Sequence, residues 1–245
     1  MAGAVGTLIA LAVLSGCAPE AGDAAGSESP ASSEPRPSAA STPQPPSPEE
    51  LRHEAAEAMV ESATLRENVA SIIMSTAPGT DAKSIRAFVS DQGLGGFILM
   101  GSNVPSTAEE LTAFTATVAG DPEFPLLLGI DQEGGVVSRL PWDDLPSSIT
   151  LKAEPPAASE TAFAERARLL SDTGLNVNFG IVADVTADPE SFIFDRVLGT
   201  TPDESAERVA AAVTGEQGTV LSTLKHFPGH GATPGNSHEM IPQSA

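Results

Sequence analysis

Cysteine occurs once in 245 residues, and Lys and Arg together number 12 against 33 Asp and Glu. A single thiol, Cys17, excludes an intrachain disulfide and any metal site built from several cysteines. The formal net charge of -21 would repel nucleic acid phosphates and anionic headgroups, so no nucleic acid partner is expected. Long apolar runs are also missing. The stretch from Gly6 to Leu14 is too short to span a bilayer. What the chain does have is 40% hydrophobic residues, enough for one substantial core.

The apolar run ends in Leu14-Ser15-Gly16-Cys17, small residues followed by the lone cysteine, which resembles a bacterial lipoprotein signal. That resemblance implies export, cleavage before Cys17, lipidation of its thiol, and a cell-membrane anchor facing the wall space. Met1 to Ala4 carry no Lys or Arg where such signals have a basic segment. Residues 1–17 are thus expected to be the signal. Residues 18–49, rich in Ala, Ser, Pro and Glu, are expected to be a disordered tether, because they cannot bury enough apolar surface to offset chain entropy.

From residue 50 onward, helical and strand patterns alternate. Helices are expected over Leu51 to Ser75, Ala82 to Asp91, Ser106 (as N-cap, boxed with Glu109) to Ala119, Ser159 to Thr173 and Pro202 to Thr214. Strands are expected at Phe97 to Met100, Leu126 to Ile130, Leu175 to Val185 and Thr219 to Leu224. Strands separated by helices imply βαβ units and a parallel sheet. Asp131, Asp184, Lys225 and His226 each follow a strand, at the edge where such folds build active sites. The expected class is α/β, a (β/α)₈ barrel of which residues 50–245 supply the N-terminal half to two-thirds.

Two segments carry the chemistry. In Lys225-His226-Phe227-Pro228-Gly229-His230, Pro228 and Gly229 forbid the helix that would set His226 and His230 on one face as metal ligands. Neither a metal nor another cofactor is expected. A Gly- and Pro-rich loop at a strand end instead brings backbone and rings close to a polar ligand, with one histidine free to exchange a proton. In Asp131-Gln132-Glu133-Gly134-Gly135, a carboxylate directly after a strand can accept from two adjacent sugar hydroxyls. Arg139 and Arg196 could fix other edges of the ring. The competing reading of these charges is salt bridges that order the barrel rim. Trp142 is read as a stacking platform or as half-buried packing.

The segments Gly93 to Leu99, Ile130 to Arg139, Asn176 to Val185, Arg196 to Gly199 and Lys225 to His238 together resemble glycoside hydrolase family 3, in its bacterial β-N-acetylglucosaminidase branch. The resemblance implies a (β/α)₈ barrel and a retaining hydrolase that removes non-reducing terminal N-acetylglucosamine from cell-wall type glycans. It places Asp131, Arg139, Arg196, Lys225 and His226 on the sugar and makes His238 the acid/base; it assigns Glu133 no chemistry, so Glu133 is read as support and not as an acid. The family has an aspartate two residues before that histidine. Asn236 stands here instead, able to orient His238 but not to stabilise an imidazolium by charge, so the acid form is expected to be less favoured. The family's aspartate nucleophile is expected beyond residue 245, which would leave this stretch without hydrolase activity. The alternative is a lipoprotein that binds amino-sugar or wall ligands without catalysis.

Overall fold

The computed structural model describes residues 45–120, 126–232 and 235–241. Cys17 and the tether up to residue 44 lie outside them. Every element below belongs to the compact unit Ser47–Ala245.

The unit opens with α1 (Pro48–Ser62), started by a capping box between Ser47 and Glu50 and by Pro48 in its first turn. The expected single helix from Leu51 to Ser75 is instead broken. Thr64 and Glu67 form a second capping box that starts α2 (Leu65–Ser71), and the chain then extends into a two-residue strand, β1 (Met74–Ser75). A side chain that caps a new helix competes with continuation of the old one, so the apolar spacing misled here. Next come α3 (Ala82–Gln92), β2 (Gly96–Leu99), α4 (Ala108–Ala119) and β3 (Leu127–Ile130). The cap of α4 is Thr107, which accepts from the Glu110 amide, and not Ser106; the expected box does not form, since the Glu110 carboxylate accepts from the Ser106 N–H and not from that of the cap residue. A short α5 (Ser148–Leu151), α6 (Pro156–Asp172), β4 (Val177–Val182), α7 (Pro202–Glu216) and β5 (Leu221–Lys225) complete the helices and strands among the described residues, and a 3-10 turn follows at His230–Ala232.

All five strands are parallel, in the order β1-β2-β3-β4-β5. The order never reverses, so right-handed crossovers carry every helix to the same side, the arrangement of a barrel rather than of a doubly wound sheet. On the helix side, Phe97, Leu99, Leu128 and Ile130 pack with Val89, Leu111, Phe114 and Leu170. A second cluster joins Ile181 to Phe163, Leu198 and Ala212 beneath α6 and α7. Gly129 lies on the inner side, where a Cβ would come within 2.6 Å of the Phe179 ring. No helix among the described residues is long and apolar enough to cross a membrane.

Candidate active site

The loops after β3, β4 and β5 converge at the carboxyl end of the sheet. Lys225, the last residue of β5, points its ammonium at Asp131 Oδ1 (3.0 Å) and Glu133 Oε1 (2.5 Å). Glu133, 1% exposed, grips Arg196 with both oxygens: Nε donates to Oε2 at 2.9 Å and Nη2 to Oε1 at 2.8 Å. Such a planar two-bond pairing fixes the guanidinium in orientation as well as position. Arg139 Nη2 lies 3.7 Å from Asp131 Oδ2. Its Nε is buried and has no hydrogen-bond partner among the described residues. Asp131 differs from Glu133 in keeping 20% of its side chain exposed, with lone pairs open to a ligand.

His226 bridges the next pair. Its Nδ1 is 2.6 Å from Asp184 Oδ2 and its Nε2 is 3.2 Å from Arg196 Nη2. Arginine can only donate, so Nε2 accepts and the proton sits on Nδ1; the neutral tautomer follows from the partners. Asp184 is buried and also accepts from the amides of His226, His230 and Gly231. Burial by itself pushes the Asp184 carboxyl up, but the His226 side chain and the amides of His230 and Gly231 outweigh it and hold the group below the usual range. For Arg196, burial works to lower the pKa, and Glu133, helped by Asp131 and Asp184, outweighs it and keeps the guanidinium above its usual value. The peptide bonds Lys225-His226 and Phe227-Pro228 are cis.

The structure thus joins Asp131, Arg139, Arg196, Lys225 and His226 in one network. His238 lies outside it. The side chain is exposed and no hydrogen bond engages its ring among the described residues. Asn236 Oδ1 accepts from the His238 backbone N–H at 3.1 Å, so the expected orienting contact falls on the main chain and not on the ring. The loop is tied back through His230, whose Nε2 meets Ser237 Oγ at 2.9 Å and whose ring stands edge-on to Phe192 and His226.

Trp142 is half-buried and packs on the first core cluster, in line with the packing alternative. Beside it lies what the motifs did not reveal. Asp143 and Arg166 form a fully buried ion pair, Nε to Oδ2 at 2.8 Å, on which the Asp131 loop rests. Arg166 stands at helical spacing among the buried Ala162, Phe163, Ala167 and Leu170. A charge in the middle of an apolar helix face was the available signal. The glycine pair after Glu133 has its reason here as well. Gly134 and Gly135 have φ of 82° and 75°, and a Cβ on Gly134 would fall 2.3 Å from Arg166 Nη2.

Among the described residues no group of three His, Cys, Asp or Glu side chains could hold a metal ion. The arrangement presents one open carboxylate, one partly exposed guanidinium and two oriented cations, a set suited to the hydroxyls and amide of a neutral sugar.

The family profile described as "Glycosyl hydrolase family 3 N terminal domain" matches residues 64–245. The chain is 33% identical over 171 residues to "Beta-hexosaminidase LpqI" of Mycobacterium tuberculosis, covering 64% of this chain and 42% of that protein. It is 32% identical over 169 residues to a "Beta-hexosaminidase" of Methylococcus capsulatus, covering 64% and 49%. A glycoside hydrolase family 3 β-N-acetylglucosaminidase from Paenibacillus sp. superposes with a TM-score of 0.69 at 30% identity, over 74% of this chain and 36% of that one. The chain spans less than half the length of each of these three relatives.

Proposed function

This chain belongs to glycosyl hydrolase family 3, and from that premise we propose that it forms the sugar-gripping part of a retaining hydrolase for terminal N-acetylglucosamine on cell-wall type glycans. The observation that carries the proposal is the single connected network of Asp131, Arg139, Arg196, Lys225 and His226 at the mouth of the sheet. Two relatives carry the name Beta-hexosaminidase, which supports the substrate class. Asp131 would accept from two vicinal hydroxyls, the exposed end of the Arg139 guanidinium and Lys225 would donate to others, and neutral His226, held by Asp184 and Arg196, would line the pocket. His238, on the loop after β5, would serve as acid/base: it protonates the glycosidic oxygen and then takes a proton from the incoming water. Asn236 would steady its main chain. A retaining mechanism also needs a nucleophile about 5 Å from the acid, across the bond to be broken, and no residue here matches that of the family.

The test has two parts. Calorimetric titration of the 245-residue chain with N-acetylglucosamine is expected to show saturable binding, while turnover of an aryl N-acetylglucosaminide by the same chain is expected to be negligible. Robust turnover would overturn the assignment of an absent nucleophile, and absence of binding would overturn the sugar site.

Export and anchoring remain part of the proposal. A relative from Arthroderma benhamiae is named "Uncharacterized secreted glycosyl hydrolase", which supports export, and the motif ending in Cys17 supports a lipid anchor. Cys17→Ser is expected to release the protein from the membrane fraction; retention there would remove the anchor from the account.

A further inference from the structure

We propose that Gln132 is a positioning residue for sugar binding, a clamp that sets the aim of Arg139 toward Asp131 without touching the ligand. This rests on the amino-sugar reading above. Gln132 lies between the exposed Asp131 and the sealed Glu133 and is itself fully buried. Its amide is satisfied at every position. Oε1 accepts from the amides of Arg139 (2.8 Å) and Leu140 (3.0 Å), and Nε2 donates to Ser138 Oγ (2.7 Å) and Asp143 Oδ2 (2.6 Å). The backbone of Gln132 is held as well: its N–H donates to Asn178 Oδ1 and its carbonyl accepts from Asn178 Nδ2, each at 3.2 Å. Asn178 belongs to β4, so the clamp ties the loop after β3 to the neighbouring strand.

The consequence lies in what is pinned and what is left free. The four side-chain bonds all reach residues 138–143, the returning arm of the loop whose turn is closed by the Gly134–Val137 bridge. Arg139 is held by its main chain, while the end of its guanidinium, with Nη2 3.7 Å from Asp131 and a third of the side chain exposed, is left to meet a ligand. Asp143, which takes one of the Gln132 bonds, is fixed in turn by Arg166 of α6. Were the clamp released, Asp131 would stay at the end of its strand and Arg139 would lose its fixed distance from it. A sugar edge recognised by both groups at once would then pay the cost of ordering the loop on binding.

Gln132→Glu tests this with almost no change of shape. The carboxylate can still accept from Arg139 and Leu140, but it cannot donate to Asp143, and it sets two anions side by side. Calorimetric titration with N-acetylglucosamine is expected to show at least a tenfold weaker affinity in a variant whose thermal unfolding is still cooperative. A variant that unfolds at lower temperature but binds within twofold of the unsubstituted chain would reduce Gln132 to a stabilising residue and overturn the proposal. If the variant does not fold, Ser138→Ala decides. It removes one partner of Nε2 and leaves the bonds to Arg139 and Leu140, and a two- to fivefold loss of affinity is expected, whereas unchanged affinity overturns the proposal. No saturable binding by the unsubstituted chain would remove the functional reading and this inference with it. Binding retained by the unsubstituted chain and by both variants would remove only the inference.

Discussion

Asp131 and Glu133 sit two residues apart and share the Lys225 ammonium, yet their surroundings give them opposite roles. Asp131 is partly open, and the loss of its charge leaves Lys225 still paired with Glu133. Asp131→Asn is therefore expected to cost no more than about 1 kcal/mol of stability while weakening N-acetylglucosamine binding at least tenfold. Glu133 is sealed, and Glu133→Gln leaves Arg196 without its buried anion and Lys225 with Asp131 alone. A loss of about 3–5 kcal/mol in urea unfolding is expected. Similar stability losses for the two variants would contradict the division of labour. The sequence made Asp131 legible, since a carboxylate directly after a strand is a recognisable placement. It also marked Glu133 as support, though not the two-bond grip on Arg196 across 63 residues. Asp184 gives a pH test. Its native pKa is depressed, so its stabilising contribution is present above the unfolded value and lost as pH falls through the folded one. Thermal midpoints followed downward from pH 6 should fall on the acid side, less steeply in Asp184→Asn. Equal acid slopes would mean that the Asp184 contacts contribute nothing to folding.

At the scale of elements, α6 links stability to the site. Its Arg166 is buried against Asp143 and donates from Nη2 to the Pro146 carbonyl, so the helix supports both ends of the 143–146 stretch. Arg166→Ala would strand the Asp143 carboxylate in the interior, and a destabilisation of about 3–5 kcal/mol is expected from chemical denaturation. A change under 1 kcal/mol would show that water or loop movement relieves the charge. Strands β2 to β5 and helices α3, α4, α6 and α7 were legible because each is long enough to display a period or a buried run. Strand β1 was not, since two residues carry no pattern, and the break between α1 and α2 is decided by the Thr64 cap rather than by apolar spacing. The four-residue α5 escaped for the same reason as β1.

For the molecule as a whole, strand topology decides where the chemistry can assemble. Consecutive parallel strands with one direction of travel bring every strand end to a common rim, so loops 94 residues apart, as at Asp131 and Lys225, share one network. The sequence motifs anticipated that meeting; they did not anticipate that His238 would stand apart from it, because a Gly- and Pro-rich loop has no period from which to read direction. The most direct measurement is a titration of the ¹⁵N-labelled chain with N-acetylglucosamine, read residue by residue in two-dimensional NMR spectra. Saturable shifts clustered at Asp131, Arg139, Arg196, Lys225 and His226 are expected, and are lost in Asp131→Asn. Shifts confined to α1 and α2, or none at all, would contradict this expectation.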